Sequence, residues 1–178
     1  MKFFTYNEQT QTYAVNTAVD TPHTADITDL AFNPSDPSMC VSTSLDKTAK
    51  LWKRGKQCYQ YTQLMSLANF EAHSADFSLD GSVLAGAFPD TLTLWDPATA
   101  SMISEVHFPQ VQGIPIRKLR FVSEEHLVIL TFSHTILYSL LLMKPVWTVE
   151  ISGELVSSSF HPDTNQFAIL SDVDADSQ

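Results

Sequence analysis

Reactive and membrane-like features are scarce in this 178-residue chain. Only Cys40 and Cys58 are cysteines, and neither lies in a Cys-x-x-Cys context. That excludes a disulfide framework or a thiol-redox motif and leaves free thiols as the default. Five glycines occur, none in a phosphate-cradling loop. The longest apolar stretch, 136–143, is eight residues broken by Ser139, far short of the roughly 20 a membrane helix needs. The first eight residues hold no apolar run of signal-peptide length, and no Asn-x-Ser/Thr acceptor occurs. Basic residues are few: ten Lys and Arg face twenty Asp and Glu, a net charge of −10. A chain this acidic repels a phosphate backbone and is a poor candidate for a large nucleic-acid footprint of its own. What is present is globular: 44% apolar, 11% aromatic and 17% charged residues. The expected class is a soluble intracellular unit of about one domain.

Two markers repeat in phase. Aromatics leading into a turn occur at Tyr6, Trp52, Trp95 and Tyr138, at spacings of 46, 43 and 43. Phe32, Phe77, Phe121 and Phe160 each end a short apolar stretch before a turn, at spacings of 45, 44 and 39. Between them the pattern is β: Ile27–Phe32 and Thr91–Trp95 alternate, while 83–87 and 127–132 are short apolar runs of the kind buried strands show. Four short strands per unit of about 43 residues are the signature of a β-propeller of the WD-repeat kind. The expected architecture is therefore all-β: a partial WD-repeat ring of about four blades, two whole plus incomplete units, over residues 1–170. Its units are about 1–22, 23–65, 66–110, 111–153 and 154–170, the outer two incomplete, and 171–178 form an acidic frayed tail. Phe32, Phe77 and Phe121 are expected to be buried. A partial ring leaves open blade edges, so the isolated chain is expected to be marginal and prone to self-association.

The clearest unit runs from His23 to Trp52. It resembles the general WD-repeat pattern, in which a loop His, a strand Ser, a turn Asp and the Trp form one hydrogen-bonded chain. Carried onto this sequence, these are His23, Ser44 (with Ser42 as the alternative), Asp46 and Trp52. A His, a Ser and an Asp also suggest a hydrolase triad, but no Gly-x-Ser-x-Gly elbow surrounds either serine, and Asp46 sits in a turn. The pattern decays along the chain: Ala68 stands at the position of His23 one unit later, Pro89 at that of Asp46, and Tyr138 replaces the Trp in the third unit. The six histidines show no ligand spacing, so no metal is expected. Half of the basic residues cluster at Lys47, Lys50, Lys53, Arg54 and Lys56. This is either a partner-binding rim or the solvated side of a strand whose lysines guard against edge pairing. Arg117, Lys118 and Arg120 carry the same ambiguity.

Two stretches go beyond a generic propeller: 11–23, ending Val19-Asp20-Thr21-Pro22-His23, and 75–85, with Asp80-Gly81-Ser82-Val83-Leu84-Ala85, leading to Trp95-Asp96. Over residues 3–170 the chain resembles the second propeller of the WD repeat-containing protein 75 family, nucleolar members of the transcription-linked group of the small-subunit processome. The resemblance implies a non-enzymatic scaffold in ribosome biogenesis, supporting pre-rRNA transcription and small-subunit (18S) rRNA processing in the nucleus and nucleolus. It implies other processome proteins as partners and an indirect association with pre-rRNA or small nucleolar RNA. No cofactor, membrane or small-molecule substrate is expected. The alternative is a WD-repeat adaptor of an unrelated complex, in ubiquitin ligation or trafficking.

Overall fold

The computed structural model describes residues 2–18, 23–54, 59–66, 71–89, 91–108, 115–161 and 166–172. Every regular element among them is a strand, so the protein is an all-β, partial WD β-propeller. A first ribbon pairs β1 (Lys2–Asn7) with β2 (Thr12–Ala18). Three four-stranded antiparallel meanders follow, one whole blade more than the two expected, because 111–153 also supplies four paired strands. The first blade is β3 (Ile27–Phe32), β4 (Met39–Ser44), β5 (Thr48–Arg54) and β6 (Tyr59–Ser66). The second is β7 (Ser74–Phe77), β8 (Leu84–Phe88), β9 (Thr91–Asp96) and β10 (Ser101–His107). The third is β11 (Ile116–Ser123), β12 (His126–Thr131), β13 (His134–Ser139) and β14 (Lys144–Glu150). A last ribbon pairs β15 (Glu154–Phe160) with β16 (Phe167–Asp172).

Burial follows blade position. The innermost strands β3, β7 and β11 lie side by side. The second strands β4, β8 and β12 are covered on both faces, which is why they read as short, nearly unbroken apolar or small-residue runs. The outermost strands β10 and β14 are mostly exposed. Two cores fill the gaps between blades. Met39, Val41 and Leu51 of the first blade pack with Phe77, Phe88 and Trp95 of the second. Ala87, Leu92 and Leu94 of the second pack with Leu119, Phe121, Ile129 and Tyr138 of the third. Each fully buried Leu, Ile or Phe in these gaps contributes about 1.5–3 kcal/mol.

One expected core residue is not in the core. Phe77 and Phe121 are 2% and 6% exposed, but Phe32 is 50% exposed. Phe77 and Phe121 each pack against the blade that precedes their own. Ahead of β3 the described chain offers only the β1–β2 ribbon, and no inner strands for Phe32 to lie on.

Adjacent blades are also tied at their turns. The Asn33 side chain accepts from Ser35 and Asp36 N–H, each at 2.9 Å, and donates at 2.9 Å to the Gly81 carbonyl of the next blade. Gly81 has φ +73°, a left-handed conformation, and a Cβ there would overlap the Asn33 carboxamide. Gly81→Ala should therefore lose about 2 kcal/mol: about 1–2 from the left-handed backbone and the remainder from the displaced latch. A denaturation midpoint unchanged from the parent would refute the latch.

Candidate functional site

In the first blade a hydrogen-bonded chain runs from indole to carboxylate. Trp52 Nε1–H donates to Ser42 Oγ at 2.8 Å. Ser42 Oγ and His23 Nε2 lie 2.7 Å apart, and His23 Nδ1 lies 2.9 Å from Asp46 Oδ2. With the carboxylate ionised, one arrangement satisfies every proton: His23 carries its proton on Nδ1 and gives it to Asp46, and Ser42 donates to Nε2. The chain is sealed, with Trp52, Ser42 and His23 buried.

The serine in this chain is Ser42, not Ser44. Trp52 faces Cys40 across the β4–β5 ladder, so Ser42 lies diagonally within reach of the indole. Ser44 is two residues further on, at the strand's end. There its Oγ accepts from the Asp46 N–H and donates to the Ala25 carbonyl, closing the turn.

The charge states follow from these contacts. Burial lowers the His23 pKa from 6.5, and the pull of Asp46 only partly offsets it. Burial works against the Asp46 carboxylate too, but bonds from Thr48, the Thr24 N–H and His23 outweigh it and hold its pKa at about 2. Unfolded His23 takes up a proton below pH 6.5 that the folded blade refuses, so stability falls as pH drops through that value. The Asp46 contribution is present above about pH 4 and is lost toward pH 2. The urea midpoint should be flat from pH 8 to 7 and decline below 6.5. His23→Gln should flatten the upper part of that decline, leaving a remainder from His73, whose pKa burial also lowers. A decline of the same shape in His23→Gln would show that His23 is not its source.

The later blades keep the positions and lose the chemistry. Cross-strand register sets Gly86 at the place of Ser42 and Trp95 at that of Trp52. Here the indole lies against the glycine: a Cβ on Gly86 would meet Trp95 Cζ3 at 2.7 Å. In the third blade Ile129 and Tyr138 occupy the two places. Among the described residues the Tyr138 hydroxyl is buried with no hydrogen-bond partner, and its ring packs edge-on against Phe108 at 5.5 Å. Tyr138→Phe should therefore be neutral or stabilising by about 1 kcal/mol, since it deletes an unsatisfied buried donor. A clear drop in melting temperature would contradict this. His23 sits before its blade; Ala68 lies outside the described residues.

The expected basic rim does not form one patch. β5 rises about 20 Å from Thr48 to Arg54, which puts Lys47 in the turn beside Asp46 and the exposed Lys53 and Arg54 at the far end. Lys50 lies between them and is 8% exposed, packed inside the blade rather than on a rim. Lys56 lies outside the described residues, as does Cys58. Burial pushes the Cys40 thiol up to about 12, so it stays protonated.

The second basic cluster is engaged internally. Lys118 Nζ meets Asp29 Oδ1 at 2.8 Å, and Arg120 Nη1 meets Asp76 Oδ1 at 3.0 Å. Ser74 Oγ donates to Asp29 at 2.6 Å and accepts the Leu119 N–H, while Asp76 accepts the Phe121 N–H at 3.0 Å. Arg117 lies over the Phe132 ring at 4.5 Å. This network across the three inner strands was absent from the sequence reading. Its signal was nonetheless in phase with the Phe markers: Asp29, Ser74 and Lys118 all stand three residues before them, and Asp76 and Arg120 one before.

The His23 chain is closed to solvent, and the inner-strand charges are paired. Among the described residues no group of three or more His, Cys, Asp or Glu comes together to hold a metal ion.

The family model for the WD repeat-containing protein 75 second beta-propeller matches residues 1–178. WD repeat-containing protein 75 of Danio rerio is 33% identical over 116 residues, 61% of this chain and 14% of that protein. The Homo sapiens protein of the same name is 32% identical over 110 residues, 56% of this chain and 13% of that protein. U3 small nucleolar RNA-associated protein 17 of Schizosaccharomyces pombe is 20% identical over 186 residues, 96% of this chain and 22% of that protein. The matched stretch is thus a minor part of each relative's length.

Proposed function

We propose a role from one premise: the chain belongs to the WD repeat-containing protein 75 second beta-propeller family. Its role is that of a WD-repeat scaffold in ribosome biogenesis. In finer terms, it supports pre-rRNA transcription and small-subunit (18S) rRNA processing as a non-catalytic part of the small-subunit processome in the nucleolus. The observation that carries this is the extent of the family match, residues 1–178. A relative named for association with U3 small nucleolar RNA aligns over 96% of the chain and adds support.

The physical character of the chain suits protein contact better than direct RNA contact. With a net charge of −10 it repels phosphates at long range. Two of its strongest cations, Lys118 and Arg120, are held by Asp29 and Asp76. We therefore assign its RNA association to its protein partners. The test is affinity purification of the tagged protein in its longest natural form, with bound RNA sequenced and proteins identified before and after a wash at raised salt. Small nucleolar RNA, pre-rRNA and nucleolar proteins retained together support the reading. A ubiquitin-ligase or trafficking complex without rRNA precursor overturns it.

A further inference from the structure

One four-residue turn is built the same way three times: 8–11 between β1 and β2, 97–100 between β9 and β10, and 140–143 between β13 and β14. A polar residue caps each of them. Asn7 Oδ1 accepts from the Gln9 and Thr10 N–H groups at 2.9 and 3.2 Å. Asp96 Oδ1 accepts from the Ala98 N–H at 2.8 Å, and Ser139 Oγ from the Leu142 N–H at 3.2 Å. The last turn residue is left-handed each time, with φ 52° at Gln11, 55° at Ala100 and 50° at Met143. Caps and backbone set these turns, so the side chains at the tip are not needed to hold them.

The first two tips are polar or small, Gln9-Thr10 and Ala98-Thr99. The third is Leu141-Leu142, followed by Met143, at the end of the longest apolar stretch in the chain. Leu140 packs on the core between the second and third blades. Leu141 is 72% exposed, Leu142 55% and Met143 45%. The exposure of the two leucines belongs to the position. Ala98 and Thr99, their counterparts, are exposed although the second blade is packed against a whole blade on either side. A further neighbour would therefore leave the leucines uncovered. Three consecutive large apolar side chains held out in solvent mark a contact surface.

The surroundings select the partner. The Leu140 N–H donates to the Glu125 carbonyl at 2.8 Å, which sets the acidic turn between β11 and β12 beside the tip. Glu124 accepts the Asp80 N–H at 3.2 Å and carries the face on to the second blade. The turns 78–83, 96–101, 123–126 and 139–144 hold Asp80, Asp96, Glu124 and Glu125, with Lys144 as their only Lys or Arg. Among the described residues none of these carboxylates joins an ion pair, whereas Asp29 and Asp76 on the inner strands each meet a cation. The Ser78 hydroxyl and the Ser82 N–H and hydroxyl hold the Asp80 pKa at about 2, so its charge persists. The basic end of β5 stands on the first blade, where the Arg54 N–H meets the Ser38 carbonyl at 2.7 Å.

We propose that the 140–143 turn anchors a protein-docking surface whose partner is a Lys/Arg-rich segment of another protein bearing an apolar stripe. Leu141, Leu142 and Met143 enter among the apolar side chains of that stripe, and the acidic turns meet its cations. The apolar anchor supplies most of the affinity, and the rim charges supply steering and selectivity. Charge decides between occupants. A second copy would set these acidic turns against each other at a two-fold contact. Nucleic-acid phosphates and anionic lipid headgroups would be repelled.

Photo-cross-linking from the tip tests this, with p-benzoylphenylalanine in place of Leu141 in the longest natural form of the protein, expressed in its own cells. The cross-linked peptide, mapped by mass spectrometry, should carry net positive charge and apolar residues. The same probe in place of Gln9, on the polar version of the turn, gives the background. Leu142→Ser should lower the cross-link yield at least about tenfold. Glu124→Lys with Glu125→Lys should lower it several-fold, and both variants should keep the parent's melting temperature. Where either melts low, Met143→Gln and Asp96→Asn take their places. A yield no higher than from Gln9 overturns the proposal, as does a yield unchanged by these substitutions. A cross-link to an acidic segment, to RNA, to a second copy or to another part of the same chain overturns it too. None of these readouts depends on the role in ribosome biogenesis.

Discussion

Trp52→Ala should destabilise the protein by about 3–5 kcal/mol, while the neighbouring Lys53→Ala should change it by less than about 0.5 kcal/mol. The two residues are adjacent on β5 and point to opposite fates. Trp52 is fully buried and donates to Ser42; Lys53 is exposed. Removing the indole empties a fully buried site and takes away the donor to Ser42. At about 2–4 °C per kcal/mol for a chain of this size, the melting temperature should fall by roughly 6–20 °C. Trp52→Phe keeps much of the apolar volume while losing the N–H and the fused five-membered ring, so it should cost a smaller part. Thermal unfolding of the three variants checks this, and equal melting temperatures for Trp52→Ala and Lys53→Ala would show that the chain does not brace the blade.

The blade plan was legible in the sequence because burial on both faces leaves a local trace. β8 and β12 are apolar or small along their length, and the Phe and Trp markers recur at the period of a single blade. What depends on neighbours was not legible. Phe32 carries the same local signal as Phe77 and Phe121, and only the blade ahead of it decides whether it is covered. Ser42 and Ser44 look alike in sequence. Register against Trp52 separates them, and register is a long-range property of β4 and β5. The basic run from Lys47 to Arg54 looks continuous on paper, but an extended strand spreads it along its length and turns Lys50 inward. The inner-strand network is long-range in the same way: Asp29 and Lys118 lie 89 positions apart, and only their shared phase with the Phe markers hints at the pairing.

Asp29→Ala should be the costliest single change on the inner strands, about 3–5 kcal/mol, because it removes one partner of a largely buried charge network and leaves the others unanswered. Asp29 takes Lys118 at 2.8 Å and the Ser74 hydroxyl at 2.6 Å, and it lies 4.0 Å from Arg120. Without it, Lys118 loses its carboxylate and Arg120 is left with Asp76. The reverse change, Lys118→Ala, should cost less. Lys118 is the more exposed partner, and Asp29 keeps its bond from Ser74. In a double-mutant cycle the pair should therefore show a coupling of about 1 kcal/mol or more. Arg120→Ala probes the other end and has a distinct pH signature. Burial already raises the Asp76 pKa, with Arg120 opposing it, and removal of Arg120 lets it rise further. A carboxyl group with a raised folded pKa binds its proton more readily in the folded than in the unfolded chain, so it costs less stability as pH falls. Measured against the parent at each pH, the deficit of Arg120→Ala should shrink from pH 8 to pH 5, while that of Asp29→Ala should persist, since its stranded groups are cations throughout that range. Equal deficits at both pH values for Arg120→Ala would mean that Asp76 is not the group the arginine holds ionised.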